Sequence, residues 1–261
     1  MPSIPVLLYH HVLPREDFIS IGVDRFRAQM AWLARHGWRT LSAGEFLACQ
    51  TGTRPPPPKA VLVTFDDGWV DTWLHAFPIL REFGLRATVF LVTGWVEARS
   101  RGRPTVAVTW ADHAAAMALA RTPEAPSVLH LEQIEAMAAS GLISFHSHTH
   151  AHASRVRTPG YDLEADLGAS QAFFRRYLGG PSEQLCFPWG EYLPEDPDIA
   201  RGQGFRLCHT TANGPNLGDG ACLVHRFSVK NRSLGWFAMK LALFSRPLTA
   251  RAYGTFKARK A

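Results

Sequence analysis

Val61-Leu62-Val63-Thr64-Phe65-Asp66-Asp67-Gly68 is an apolar, β-branched run that stops abruptly at two carboxylates and a glycine. A short run of this kind reads as a strand buried on both faces, because it has no polar face to turn toward water. Similar runs recur at Pro5–Tyr9, Ala87–Val92, Leu142–Phe145, Gln184–Phe187, Arg206–Thr210 and Cys222–Val229, which with Ala60–Phe65 makes seven. Helical patterns lie between them: Asp24–His36, with Asp24 as N-cap and Phe26, Met30 and Leu33 on one face, then Val70–Phe83, His130–Ala139, Asp162–Leu178 and Leu234–Phe244. Strands alternating with helices are the signature of βα units around a parallel sheet or barrel. At 261 residues with no internal repeat, a single barrel-like domain accounts for the chain. The Pro55–Pro58 run is a stiff, extended lead-in to the second strand. Residues 97–127, with Ser100-Arg101-Gly102-Arg103-Pro104 near one end and Thr122-Pro123-Glu124-Ala125-Pro126 near the other, read as a loop insertion carrying a short helix around Asp112–Ala120, a candidate lid.

A composition of 46% hydrophobic and 19% charged residues excludes a disordered chain. The N-terminus runs straight into a strand-like segment and shows no export-signal pattern. Cys49, Cys186, Cys208 and Cys222 form neither a C-x-x-C pair nor a disulfide framework, so a cytoplasmic protein is expected. The net charge is +6, yet nine Lys or Arg and no acid follow from Arg226 onward, leaving residues 1–225 with 19 basic against 22 acidic residues. The body is therefore not basic, which argues against nucleic acid as a partner and locates the charge in a basic C-terminal tail, 245–261. That tail reads either as the solvated end of a last barrel helix or as a peripheral contact with an anionic membrane.

Barrel active sites collect at the C-terminal ends of strands, where Asp66 and Asp67 fall. An Asp-Asp-Gly turn is the plain alternative. Adjacent carboxylates can divide two jobs when a metal holds one ionised and leaves its neighbour to act as base. The second signal is Phe145-His146-Ser147-His148-Thr149-His150-Ala151-His152, four histidines alternating past another strand-like run. Imidazole is the commonest neutral metal ligand, and two imidazoles four apart on a helical turn face the same way. One carboxylate and two imidazoles with open positions make the ligand set of a hydrolytic metal site.

At these two segments the chain resembles the polysaccharide deacetylases with a NodB-type domain, the family-4 carbohydrate esterases. Their first motif is similar to Thr64–Gly68 and their second, His-Ser/Thr-x-x-His, fits both His146/His150 and His148/His152. Further likenesses are Pro5–His10, Phe77–Leu80, Ala87–Leu91, Phe187–Tyr192 and Arg226–Val229, and the opening Tyr9-His10 resembles the poly-N-acetylglucosamine deacetylases. The resemblance implies a distorted (β/α)7-type barrel in one α/β domain over residues 1–261, and a hydrolase that removes an N-acetyl or similar acyl group from an amino sugar. It implies Asp66 as general base, Asp67, His148 and His152 as ligands of one divalent ion (zinc, with cobalt or nickel as alternatives), and His10 as general acid. Pro188, Trp189, Gly190 and Arg226 are implied as substrate-binding, with the Trp189 N–H facing the oxyanion and its ring offering a face to a sugar. The chain departs from the family where a third-motif arginine is replaced by Cys186, so something else must steady Asp66; Arg226 is the candidate. Leu223-Val224-His225 matches a late Leu-x-His motif by letters only, which keeps His225 as the rival to His10. Deformylases and cyclic-ureide amidases on the same scaffold, or a carbohydrate-binding homologue without activity, are the alternative readings.

Overall fold

The computed structural model describes residues 2–15, 17–101, 110–122, 126–229 and 231–259. Its centre is an all-parallel sheet curled into a distorted barrel and surrounded by helices. Val6–Tyr9 pairs with Ala60–Phe65, which is followed in order by Ala87–Leu91, Ile143–Ser147, Gln184–Cys186 and Leu207–His209. The seventh segment differs from the expected single strand. Leu223–Val224 pairs with Leu207–His209, whereas Phe227–Ser228 pairs with Val6–Tyr9 at the other edge. The break falls at His225-Arg226, whose N–H groups leave the ladder to donate to Asn216 Oδ1 (2.9 Å) and Ala212 O (3.0 Å). One interrupted segment thus bridges the two edges, and Arg226 lies at the seam.

Period-two alternation decides what the barrel encloses. Leu7, Val61, Val63, Phe65 and Val89 face outward into a core shared with Phe26, Met30, Ile79, Leu80 and Ile134 of the helices. Val6, Leu62, Leu207 and Val224 face inward at the strand N-terminal end, where Phe46 and Leu47 plug the barrel. Further along the same inward rows come Thr64 and Asp66, Cys186, His209 and Arg226, so the interior turns polar toward the strand C-termini.

The helix expected from Asp24 begins at Val23, with Gly22 as N-cap; Asp24 instead lies in the first turn, where its charge suits the positive end of the helix. The expected Val70–Phe83 helix is a π-type turn over Thr72–Ala76 followed by a helix over Phe77–Glu82. Pro78 has no N–H to give the carbonyl of Leu74, and the turn before it widens. The helix Ala43–Gln50 was not anticipated, although Ser42 and Glu45 form a capping box that the letters already carry. Of the insertion at 97–127, a helix over Thr93–Ser100 covers the start and His113–Ala120, capped by Asp112, forms the short helix; residues 102–109 and 123–125 lie outside the described residues. In the basic tail, Pro247–Ala258 is a helix that buries Ala250 and sets Tyr253 edge-on to Phe244; Lys230 and Lys260 lie outside the described residues.

Candidate active site

Asp66 and Asp67 sit side by side, both 3% exposed, in opposite surroundings. Asp66 continues the inward row of its strand and meets Arg226. The guanidinium donates Nη1–H to Asp66 Oδ1 (2.6 Å) and Nη2–H to Oδ2 (2.8 Å), a bidentate fork. Its remaining donors go to Thr210 O (2.8 Å), Thr64 Oγ1 (3.3 Å) and Cys186 Sγ (3.0 Å). Burial pushes the Asp66 carboxyl up, but the Arg226 charge outweighs it and holds the group below its usual range. Of the two places assigned to Arg226, the structure gives the one against Asp66: it is 1% exposed and its donors all end on protein atoms.

Asp67 breaks from the strand with φ +74° and turns toward the histidines. Its Oδ2 accepts from Trp69 Nε1–H (2.8 Å), leaving Oδ1 facing His148 Nε2 (3.2 Å) and His152 Nε2 (3.3 Å). Burial raises the Asp67 pKa, and the hydrogen bonds and charge of the two imidazoles overcome it, so the group stays well below its usual range. The helical turn expected to align the histidines is absent. Instead, the chain leaves the strand in a tight loop with φ +66° at Thr149 and +52° at His152. Thr149 Oγ1 accepts from His152 N–H (3.0 Å), while Asp166 accepts from the N–H groups of His150 (2.7 Å) and Ala151 (2.8 Å). That loop brings the His148 and His152 rings to 5.0 Å and sends the other pair elsewhere. His146 is inside the barrel against Ser182 Oγ (3.0 Å), where burial pushes its pKa down to about 4, and His150 meets Thr93 Oγ1 (3.0 Å).

The Asp67, His148 and His152 atoms fit a divalent cation. His148 Nδ1 lies 2.8 Å from Cys186 O, which can only accept, so Nδ1 carries a proton and Nε2 is the atom presented to Asp67 Oδ1. A neutral His148 would offer that Nε2 lone pair to a cation shared with Asp67. Separations of 3.2 and 3.3 Å are long for charged hydrogen bonds. They suit two ligand atoms on one ion, which at bond lengths of 2.0–2.2 Å lie about 3.4 Å apart in a tetrahedron.

These side chains line one cleft with His10, Ile19, His113, Met117, Trp189 and Thr211. His10 Nε2 is 4.0 Å from Asp66 Oδ2, and burial lowers its pKa against the pull of both carboxylates. His225 is not in this cleft; it packs beside Gly214 in a separate surface hollow.

The sequence profile of the polysaccharide deacetylase family matches residues 53–208. The chain belongs to this family. Among relatives, it is 27% identical to the Bacillus subtilis protein YxkH over 87% of this chain and 71% of that protein. It is 24% identical to the poly-β-1,6-N-acetyl-D-glucosamine N-deacetylase of Staphylococcus epidermidis, over 72% of this chain and 65% of that one. The Escherichia coli enzyme of the same name is 35% identical over 31% of this chain, a match that spans only 12% of that protein. Among solved structures, IcaB from Ammonifex degensii is 28% identical with a TM-score of 0.74, covering 93% of this chain and 97% of that one. The Streptococcus pyogenes deacetylase PplD shares the fold at a TM-score of 0.76, covering 95% and 100%, with 21% identity.

In this polysaccharide deacetylase, four of the five non-glycine residues with positive φ among the described residues are Asp67, Thr149, His152 and Trp189, all at the cleft. Such backbone costs about 1–3 kcal/mol per residue and persists where the surroundings over-determine it. The Trp189 ring is 39% exposed at the cleft; it lies 4.6 Å from that of His152, and the Arg157 guanidinium sits 4.1 Å over it, held there by Glu191 (2.7 and 2.8 Å). Sequence reasoning also missed Asp71, His113 and Trp69. His11, read only as a neighbour of His10, is buried with its Nδ1 2.7 Å from Asp71 Oδ2 and its ring stacked on Trp69. Asp71 lies four residues past Asp67, and that spacing is the one signal for it in the letters.

Proposed function

We propose that this member of the polysaccharide deacetylase family is a metal-dependent hydrolase of amide bonds that removes the N-acetyl, or a similar acyl, group from an amino sugar of a glycan. The observation that supports this most strongly is the convergence of Asp67 Oδ1, His148 Nε2 and His152 Nε2 beside a second carboxylate held by its own arginine. A divalent ion at those three atoms, with zinc preferred and cobalt or nickel as alternatives, supplies Lewis acidity toward water and the acyl carbonyl.

The protein's own groups carry the protons. Asp66, kept ionised by Arg226, takes a proton from the attacking water. Its fork-bound oxygens cannot swing, so the base is aimed before substrate arrives. The Trp189 N–H, presented by a left-handed residue at the cleft wall, is the donor proposed for the oxyanion. His10, its Nε2 4.0 Å from Asp66 Oδ2, gives a proton to the departing amine. Names of relatives point to a β-1,6-linked poly-N-acetylglucosamine, and oligomers of that glycan are the first substrates to try. The test is release of acetate from them by metal-loaded protein, run beside formate release from a formylated sugar and hydrolysis of a cyclic ureide. Acetate alone supports the reading; formate or ureide turnover without acetate overturns it.

We also propose a cytoplasmic protein with peripheral membrane contact at its C-terminal end. Among the described residues no helix is long and apolar enough to cross a membrane. Arg246, Arg251, Lys257 and Arg259 are exposed beside the exposed Leu248 and Phe256, a pairing that suits an anionic lipid surface. Because Tyr253 packs on Phe244, charge replacement tests this better than truncation. Changing the four cations to Gln lowers sedimentation with anionic vesicles if the contact exists; equal partitioning refutes it.

A further inference from the structure

Asp71 and His11 are buried ionisable groups that the proposed chemistry does not use. Asp71 is 2% exposed; its Oδ1 accepts from Val12 N–H (2.8 Å) and its Oδ2 from His11 Nδ1–H (2.7 Å). On the other side of the His11 ring, His113 Nδ1 lies 3.2 Å from His11 Nε2. His113 belongs to the helix His113–Ala120 of the insertion and reaches into the cleft that holds Asp66 and Asp67. A chain of three groups therefore runs from a buried carboxylate to a half-buried imidazole at the mouth of the site. Asp71 raises the His11 pKa against burial, whereas burial lowers that of His113. The 3.2 Å contact from His11 Nε2 to His113 Nδ1 holds the His113 ring, and in either tautomer the other nitrogen of this cleft-lining side chain can hydrogen-bond a hydroxyl.

Beside His113 stands Phe18, 86% exposed, its ring edge-on to the imidazole with centroids 6.1 Å apart. An aromatic ring this exposed beside a residue of the cleft lining offers an apolar face of the kind on which a sugar ring stacks. Ile19 and Met117 complete the apolar lining between rim and floor. An apolar ring face with one oriented polar group is the pattern by which small-molecule sites fix a ligand's pose.

We propose that Phe18 and His113 form a sugar-binding subsite, in which Phe18 stacks on the ring adjoining the N-acetylated residue and His113, oriented by Asp71 through His11, hydrogen-bonds one of its hydroxyls. The inference rests on the deacetylase reading and adds what that reading leaves open: which residues grip the neighbouring sugar. His113 is a positioning residue for substrate and stays outside the proton transfers.

The test is acetate-release kinetics on the N-acetylglucosamine monomer and on a β-1,6-linked tetramer, for wild type, Phe18→Ala, His113→Ala and His113→Gln. Both sites are on the surface side of the fold, so these changes leave the buried Asp71–His11 pair in place. Expected are a roughly tenfold rise in KM for the tetramer in each alanine variant, the size of one lost net hydrogen bond or ring contact, with kcat and metal content unchanged. Turnover of the monomer is unaltered, and His113→Gln, which keeps a donor, recovers most of the loss. Unchanged tetramer KM in both alanine variants overturns the subsite while leaving the enzyme assignment intact. A fall in kcat on monomer and tetramer alike also overturns it, because that places His113 in the chemistry. A wild type that releases no acetate from either sugar overturns the enzyme reading and the subsite with it.

Discussion

Asp66 and Asp67 are neighbours in the chain, equally buried, and yet one faces an arginine fork and the other two imidazoles. On the Asp66 side every charge is already matched by the protein: the carboxylate's fork is closed by Arg226, whose spare donors end on Thr210 O, Thr64 Oγ1 and Cys186 Sγ. On the Asp67 side the carboxylate meets the Nε2 atoms of two imidazoles, a ligand set that a divalent cation would complete. The backbone reinforces the contrast. Asp66 keeps the extended geometry of its strand, while Asp67, Thr149 and His152 all carry positive φ. One side is built to hold a charge still and the other to receive one, and that difference divides the roles of base and ligand.

The largest effects break the Asp67 side. His148→Ala and His152→Ala are each expected to lose the bound ion and drop acetate release to background, while His146→Ala and His150→Ala retain the ion; elemental analysis of purified protein decides. Loss of metal in the second pair and retention in the first would reverse the two histidine pairs. Next comes the Asp66 side: Asp66→Asn keeps the ion and lowers kcat by roughly 10²–10⁴. An ion-free Asp66→Asn protein would erase the distinction between the two carboxylates.

Stability sharpens the same contrast. Arg226→Met leaves Asp66 buried without its partner and should cost about 3–5 kcal/mol in denaturant unfolding. Adding Asp66→Asn to that variant should restore part of the loss, since the uncompensated charge is gone; strict additivity of the two changes would mean the pair is not coupled. The smallest effect is Cys186→Ala. It removes one acceptor from a guanidinium that keeps four other hydrogen bonds, and about 1 kcal/mol is expected. A loss as large as that of Arg226→Met would show that the thiol, not the fork, organises this side.

The letters carried the barrel well wherever a strand was continuous and apolar, as at Ala60–Phe65, which the structure reproduces residue for residue. They misread Cys222–Val229, because pattern alone does not show that a buried arginine must leave the ladder to reach a carboxylate 160 positions earlier. The alternating histidines were visible as a ligand supply, but a helical turn was the wrong device: the convergence depends on Thr149 and Asp166 folding a loop, and side-chain acceptors for loop N–H groups leave no periodic trace. Trp189 was legible as a cleft residue, but its pairing with Arg157, distant in sequence, was not. Asp71, His11 and His113 come from three separate segments and meet only after folding.

The central claim is that the cation belongs to Asp67 and the proton to Asp66. Acetate release from a β-1,6-linked N-acetylglucosamine oligomer, measured with metal analysis on the same samples of wild type and Asp66→Asn before chelation, after it, and after adding back zinc, tests this most directly. The account predicts one ion per chain in both proteins, activity in wild type alone, its loss on chelation and its return with zinc. Full acetate release by exhaustively metal-free wild type, or activity in Asp66→Asn equal to wild type, would contradict it.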